Sequence, residues 1–239
     1  MSRILLISDV HGNLLALEAV LAAAGSVDGI WVMGDTVGYG PDPSDVLALL
    51  REKSARIVAG NHDVAVATGQ GLDVFNPHAR EAARMHREWL SAAERDDLAV
   101  LPLTMELDVF TLCHGSLRDP IWEYVLTAPQ AEASIEIAPT PHVCNGHTHV
   151  PAIYRKDARV TQVPFREGRP VALTGRVLVN PGSVGQPRDG DPRAAYALLD
   201  TDGGTIELAR SSYDVNEVQR RIRTRGLPGV LADRLAVGY

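Results

Sequence analysis

Asp9 and His11 stand two residues apart, just beyond the apolar run Ile4-Leu5-Leu6-Ile7. Both are metal-ligand types, and on extended backbone the side chains at i and i+2 leave the chain on one face. Gly12 allows a sharp turn behind them, and Asn13 suits the N-cap of a helix beginning at Leu14. Four further motifs repeat the arrangement: Gly34-Asp35-x-x-Gly38, Gly60-Asn61-His62-Asp63, His114-Gly115 and Gly146-His147-Thr148-His149. Mixed Asp, Asn and His donors suit Mn, Fe, Zn, Co or Ni better than Mg or Ca, which favour all-oxygen shells. Taken singly, the motifs have plainer explanations. Asp9 and His11 read as a cap beside a buried histidine. Asp35, Asn61 and Asp63 read as turn residues, and His147 and His149 as core or surface positions of one strand. What points to chemistry is the series of five, each behind a predicted strand.

The elements that must carry these groups follow from pattern. Short apolar runs at 4–7, 29–33 and 56–59 read as buried strands. Between them, 14–24 reads as a helix stopped by Gly25, and 43–53 as a helix started by Pro43 and Ser44. Strand alternating with helix over some sixty residues indicates a parallel α/β unit, whose ligands lie beyond the carboxyl ends of the strands. Residues 76–90 and 91–100 form a helical segment, closed by Leu101-Pro102. Strands at 109–113 and 142–145 run into the His114 and His147 motifs, with a helix at 127–137 between them. Beyond these, short strands at 152–154, 159–163, 177–179, 194–199 and 205–209 suggest a second, largely antiparallel sheet. Asp214 caps a helix carrying Arg220, Arg221, Arg223 and Arg225, and a last helix spans 229–236. With no repeat and no Gly- or Ser-rich linker, residues 1–239 are expected to form one domain.

The five motifs in this order, with Asn180-Pro181-Gly182-Ser183-Val184-Gly185 after them, resemble the calcineurin-like metallophosphoesterase superfamily, in its small bacterial and archaeal branch. The resemblance covers residues 1 to about 186. It implies an α/β class fold, a four-layer α/β/β/α sandwich, here with the helical insertion around 76–100. It also implies two divalent transition-metal ions (Mn favoured over Fe, Zn, Ni or Co) at one edge. By the same resemblance one ion takes Asp9, His11, Asp35 and His149. The other takes Asp35, Asn61, His114 and His147, so that Asp35 bridges. The implied reaction is hydrolysis of a phosphate ester by a metal-bridging hydroxide. His62 is the expected catalytic group that steadies a phosphate oxygen or protonates the leaving oxygen, with Asp63 hydrogen-bonded to its ring. Arg118 and Arg188 are candidate substrate-binding cations. Trp122 and Tyr124 are candidates to stack on a base or close a lid. The alternatives are an Arg118–Asp119 ion pair, a structural pair at Arg188, and a Trp packed on the body. His78 and His86 read as solvated, and His142 as a strand-start residue.

Composition narrows the partners. Lys and Arg number 23 against 30 Asp and Glu, a net charge of −7, which disfavours general nucleic-acid binding. The arginine-bearing helix therefore reads as a solvated face. The two cysteines, Cys113 and Cys144, form no metal or disulfide spacing and read as small buried strand residues. No secretory signal or membrane span is expected, and the location read from this is cytoplasmic. The expected partner is a small phosphorylated substrate, without a membrane or a stable nucleic-acid partner; a homodimer through the helical segment or tail is compatible. The favoured activity is phosphodiester cleavage, by resemblance to small members with a Gly-Asn-His-Asp motif. The alternatives are a phosphomonoesterase or protein phosphatase, a dinucleoside-polyphosphate hydrolase, or a scaffold of the same fold without chemistry. A DNA-end nuclease would need a basic channel that the sequence does not show.

Overall fold

The computed structural model describes residues 2–239; Met1, at the head of the opening segment, lies outside them. The first half of the chain runs β1 (Arg3–Ile7), α1 (Leu14–Ala24), β2 (Gly29–Val32), α2 (Pro43–Glu52), β3 (Arg56–Ile57), α3 (Asn61–Thr68), α4 (Pro77–Trp89), α5 (Ala92–Ala99), β4 (Thr104–Leu107) and β5 (Phe110–Cys113). The second half runs α6 (Ala128–Ile137), β6 (His142–Cys144), β7 (Ala152–Lys156), β8 (Val160–Val163), β9 (Val171–Ala172), β10 (Arg176–Asn180), β11 (Ala194–Asp200), β12 (Thr205–Ser211), α7 (Val215–Thr224) and α8 (Gly229–Asp233). Among the described residues the strands form two six-stranded sheets, ordered β3-β2-β1-β11-β12-β9 and β4-β5-β6-β10-β7-β8.

The layering follows from strand periodicity. In β1, Ile4 and Leu6 join Trp31, Leu112, Ile153 and Val177 in the core between the sheets. Leu5 and Ile7 face the other way, onto Leu17, Val20, Val46 and Leu50 of α1 and α2. Successive strand residues point to opposite faces, so a strand covered on both sides reads as a continuous apolar run. The second sheet is covered by α6 through Ala131 and Ile135, packed with Val143, Tyr154 and Leu178. This is the four-layer α/β/β/α arrangement. Asn13 caps α1 as expected, its side chain accepting from Ala16 N–H at 3.2 Å.

The late strands do not form a sheet of their own. β11 pairs antiparallel with β1, Leu6 opposite Ala197, and so extends the N-terminal sheet with β12. β10 instead enters the other sheet, between β6 and β7. Hydrophobic alternation specifies which faces a strand buries, not which edge it joins. β10 and β11 are both buried along most of their length, so local pattern does not distinguish their sheets. The helical segment also gains a partner: Val218, Ile222, Leu231 and Leu235 of the tail pack on Ala79, Ala82, Ala83 and Leu90. Arg220 and Arg223 of α7 are exposed, Arg220 pairing with Glu217 at 2.7 Å, whereas Arg221 turns inward to Asp42 at 3.1 Å. Among the described residues, no helix is long and apolar enough to cross a membrane.

Candidate metal centre

The five motifs meet at the carboxyl ends of β1, β2, β3, β5 and β6, and they meet through unusual backbone. Asp9, His11, Asp35, His147 and His149 have φ of 53°, 50°, 53°, 68° and 59°. Such left-handed conformations are uncommon outside glycine and concentrate where structure is strained for function. The extended geometry expected at Asp9-x-His11 is therefore replaced by tight curls that aim consecutive motifs at one point. Neighbouring loops hold these curls in place: His11 N–H donates to Asp35 O at 2.9 Å, and Gly185 N–H to Asp9 O at 2.9 Å. The approach is close enough to require glycine. A Cβ on Gly60 would lie 2.1 Å from Asp35 Oδ1, and one on Gly146 would lie 1.9 Å from Ser8 Oγ.

The side chains converge in two overlapping groups. In the first, His149 Nε2 lies 3.2 Å from Asp9 Oδ1 and 3.2 Å from His11 Nε2. In the second, His114 Nε2 lies 3.0 Å from both Asn61 Oδ1 and His147 Nδ1. Asp35 Oδ2 stands between the groups, 3.6 Å from His11 Nε2 and 3.4 Å from His114 Nε2. All seven are buried.

The outer nitrogen of each ring faces a carbonyl. Nδ1 of His11, His149 and His114 meets Val37 O at 3.0 Å, Gln186 O at 2.6 Å and Met33 O at 2.7 Å; His147 Nε2 meets Trp122 O at 3.2 Å. A carbonyl can only accept, so each outer nitrogen carries a proton, and wherever the ring is neutral its inner nitrogen offers a lone pair to the centre. Burial lowers His11 and His149 well below 6.5 and His147 to about 3, which keeps those three rings neutral. Two lone pairs 3.2 Å apart repel unless a cation lies between them. Asp9 Oδ1 is likewise buried without a hydrogen-bond partner. Burial also penalises charge on His114, yet Asp35 raises it to about 9, so positive charge is favoured where the acceptors meet. The donor set fits a pair of divalent transition-metal ions, with Asp35 shared.

The other candidates separate. His62, at the start of α3, lies among these groups, its ring 4.8 Å from His11, 4.5 Å from Tyr39 and 4.5 Å from Phe75. Its Nδ1 is buried against Gly38 without a partner. Asp63 does not touch that ring. Its Oδ1 accepts from Thr36 N–H at 2.9 Å, Thr36 Oγ1 at 2.6 Å and Val37 N–H at 3.2 Å, and its Oδ2 from Gly60 N–H at 2.9 Å. A helix N-terminus surrounded by free amides claims a carboxylate at N3 before a neighbouring ring can. Arg118 also leaves the site: it pairs with Glu123, and neither lines the cavity, although Trp122 and Tyr124 of the same loop do. Arg188 stays. It lines a cavity of about 330 Å³ beside Asp35, Asn61, His62, His147 and His149. Its Nε is buried without a partner. Cys113 and Cys144 are buried free thiols whose ionisation burial pushes upward, Cys144 to about 12, as small strand residues should be.

His86 is not solvated. It is fully buried, accepts from Gly38 N–H at 2.9 Å on Nδ1 and donates from Nε2 to Gly40 O at 2.7 Å. The signal was present in α4: Ala79, Ala82, Ala83 and His86 follow the i, i+3, i+4, i+7 stripe of a buried face. Burial lowers His86 from 6.5 to about 3, so the folded ring stays neutral while the unfolded ring takes up a proton below 6.5. Between pH 3 and 6.5 the unfolded chain binds more protons, and stability falls as pH falls through that window. One such group contributes up to ~1.4 kcal/mol per pH unit. Urea midpoints between pH 7 and 4 should therefore show a shallower slope for His86→Gln than for the wild type at equal metal loading. Parallel slopes would remove His86 as a titrating group.

Comparison with known proteins agrees with this geometry. The profile of the calcineurin-like phosphoesterase superfamily domain matches residues 2–204. A metallophosphoesterase from Sphaerobacter thermophilus superposes with a TM-score of 0.92 at 44% identity, covering 100% of this chain and 99% of that one. An uncharacterized protein of Methanocaldococcus jannaschii is 33% identical over 246 aligned residues, 99% of this chain and 98% of that protein. The symmetrical bis(5'-nucleosyl)-tetraphosphatase of Pectobacterium atrosepticum is 36% identical over 99 residues, 39% of this chain and 34% of that enzyme. The match thus spans about a third of that enzyme's length.

Proposed function

The chain belongs to the calcineurin-like phosphoesterase superfamily, and on that premise we propose that it is a dinuclear-metal-dependent phosphodiesterase. The observation that carries the reading is Asp35 Oδ2, placed between His11 Nε2 and His114 Nε2 so that one carboxylate serves both donor groups. Asp9, His11, Asp35 and His149 would hold one ion, and Asp35, Asn61, His114 and His147 the other. When bound, such a pair supplies Lewis acidity to the phosphoryl group and a water acidic enough to act near neutral pH.

The protein's own groups do the rest. His62 lines the cavity and would offer a ring N–H to a phosphoryl oxygen. Burial pushes its pKa to about 4, so the ring is neutral at pH 7 and acts as a hydrogen-bond donor rather than a source of a full proton. Arg188, from the turn after the last motif, binds a second non-bridging oxygen through its guanidinium. Asp63 holds the Gly60 and Thr36 loops in register and so acts on position, not on substrate. The diester is favoured by the size of the cavity, about 330 Å³, whose lining includes Tyr39, Phe75, Trp122 and Arg188 beside the donors. A second substituent on phosphorus has room there. The 99-residue likeness to a tetraphosphatase supports a second reading, cleavage within a nucleoside polyphosphate.

The test is a comparison of p-nitrophenyl phosphate with bis(p-nitrophenyl) phosphate, using metal-stripped protein reloaded with Mn, Fe, Zn, Co or Ni and analysed for metal content. Higher kcat/KM on the diester, greatest with Mn and lost on chelation, is the expected result. Full turnover by the stripped protein would overturn metal dependence, and preference for the monoester would overturn the diester assignment.

A further inference from the structure

Resting on the hydrolase reading, we propose that the outer part of this cavity is a nucleobase subsite, and that the phosphodiester carries a nucleoside whose base stacks on Trp122, with Phe75 packed edge-on behind the indole. A line of rings leads outward from the metal-ligand groups: His11 to His62 at 4.8 Å, His62 to Phe75 at 4.5 Å, Phe75 to Trp122 at 5.7 Å. Tyr124, two residues on in the same loop, stacks on His147 at 3.8 Å. At the mouth Trp122, Tyr124 and Val74 face solvent, at 36%, 42% and 66% exposure, while Phe75 is buried behind them. Apolar rings rimming a polar centre cost hydration unless a planar ligand covers them.

Trp122 is the outermost ring of that line, one ring beyond Phe75, which itself lies 4.5 Å from His62. A base set off from phosphorus by a pentose has a longer reach than a ring joined through one ester oxygen. The volume agrees: about 330 Å³ lies near the lower end of the roughly 300–1,000 Å³ of small-molecule sites, far more than a bare phosphate fills. Asn76 on the same wall offers an amide to a base edge.

Trp122 is also built in advance. Asp119 Oδ1 accepts from Ile121 N–H at 3.2 Å and Trp122 N–H at 3.1 Å, and Glu123 pairs with Arg118 and Ser116 within the same loop. The indole lies over Gly71, where a Cβ would come within 2.6 Å of the ring. A stacking surface already fixed in place loses little entropy when a ligand arrives.

The experiment compares two diesters with the same leaving group, thymidine 5'-(p-nitrophenyl phosphate) and methyl p-nitrophenyl phosphate. Wild type should favour the thymidine ester roughly tenfold or more in kcat/KM, the scale of one stacked base. In Trp122→Ala that preference should shrink about tenfold, chiefly through KM, and Trp122→Phe should restore most of it. Equal rates on the two esters in wild type, or a preference unchanged in Trp122→Ala, would overturn the subsite while leaving the hydrolase reading intact. With phenyl p-nitrophenyl phosphate run as a third ester, a preference for it over the thymidine ester would overturn the nucleobase subsite and assign the rings to an aryl group. If no ester is cleaved with any metal, the hydrolase reading fails. Quenching of tryptophan fluorescence by adenosine monophosphate, present in wild type and lost in Trp122→Phe, then still decides whether a base binds; no quenching overturns the subsite.

Discussion

Asp35→Ala is expected to lower kcat on a diester by roughly 10³-fold or more and to reduce bound metal from two ions per chain to one or fewer. Asp35 alone is common to both donor groups. Its Oδ2 faces His11 and His114, and its Oδ1 accepts from His62 N–H at 2.8 Å. Removing the carboxylate takes away the anion that offsets two cations held close together, and it frees the backbone that starts α3. Burial opposes its charge, but His114, His62 and His11 hold it well below its usual 3.8, so it is ionised throughout the working range. Asp35→Asn separates charge from shape. It keeps an acceptor for His62 N–H and should still lose at least one ion. Elemental analysis beside steady-state rates reads both. Two retained ions with activity within tenfold of wild type would remove Asp35 as the bridge.

His62→Ala is expected to reduce kcat about 10²- to 10³-fold, the effect of removing one aimed donor, with both ions retained. The ring touches the ligands but is not assigned to either donor group. The loss should be the same from pH 6 to pH 8. Burial pushes the His62 pKa from 6.5 to about 4, so the wild-type ring stays neutral across that range and gains no charge to lose. A deficit that disappears above pH 7 would instead identify a protonated acid. Unchanged activity would remove His62 from the mechanism, and a parallel loss of metal would make it a ligand.

The fold and the donor residues that converge were legible because the information is local. An apolar strand, a glycine and a donor residue are contiguous in all five motifs, and the physics that ends a strand in a turn acts within a few residues. The cap at Asn13, the helical segment and the buried strands follow from the same short-range rules. Orientation was less accessible. Asp63 was expected on the ring beside it and is held instead by four donors from the Thr36 and Gly60 loops. Arg118 was expected at the phosphate and pairs five residues away, with Glu123. His86, three turns into an amphipathic helix, lay on the buried stripe, but what it would meet there was not written nearby.

The sequence by itself determined the stock of donors, their order along the chain and the strands that carry them. Only the tertiary structure decided that seven of them share one buried centre, that β11 and β10 go to different sheets, and that Phe75, Trp122 and Tyr124 rim the same cavity. The reason is range. Strand and turn preferences are set by neighbours in sequence, whereas the direction of a buried ring is set by whichever carbonyl lies behind it. For His11, His114, His147 and His149 that carbonyl belongs to a residue 25 to 81 positions away.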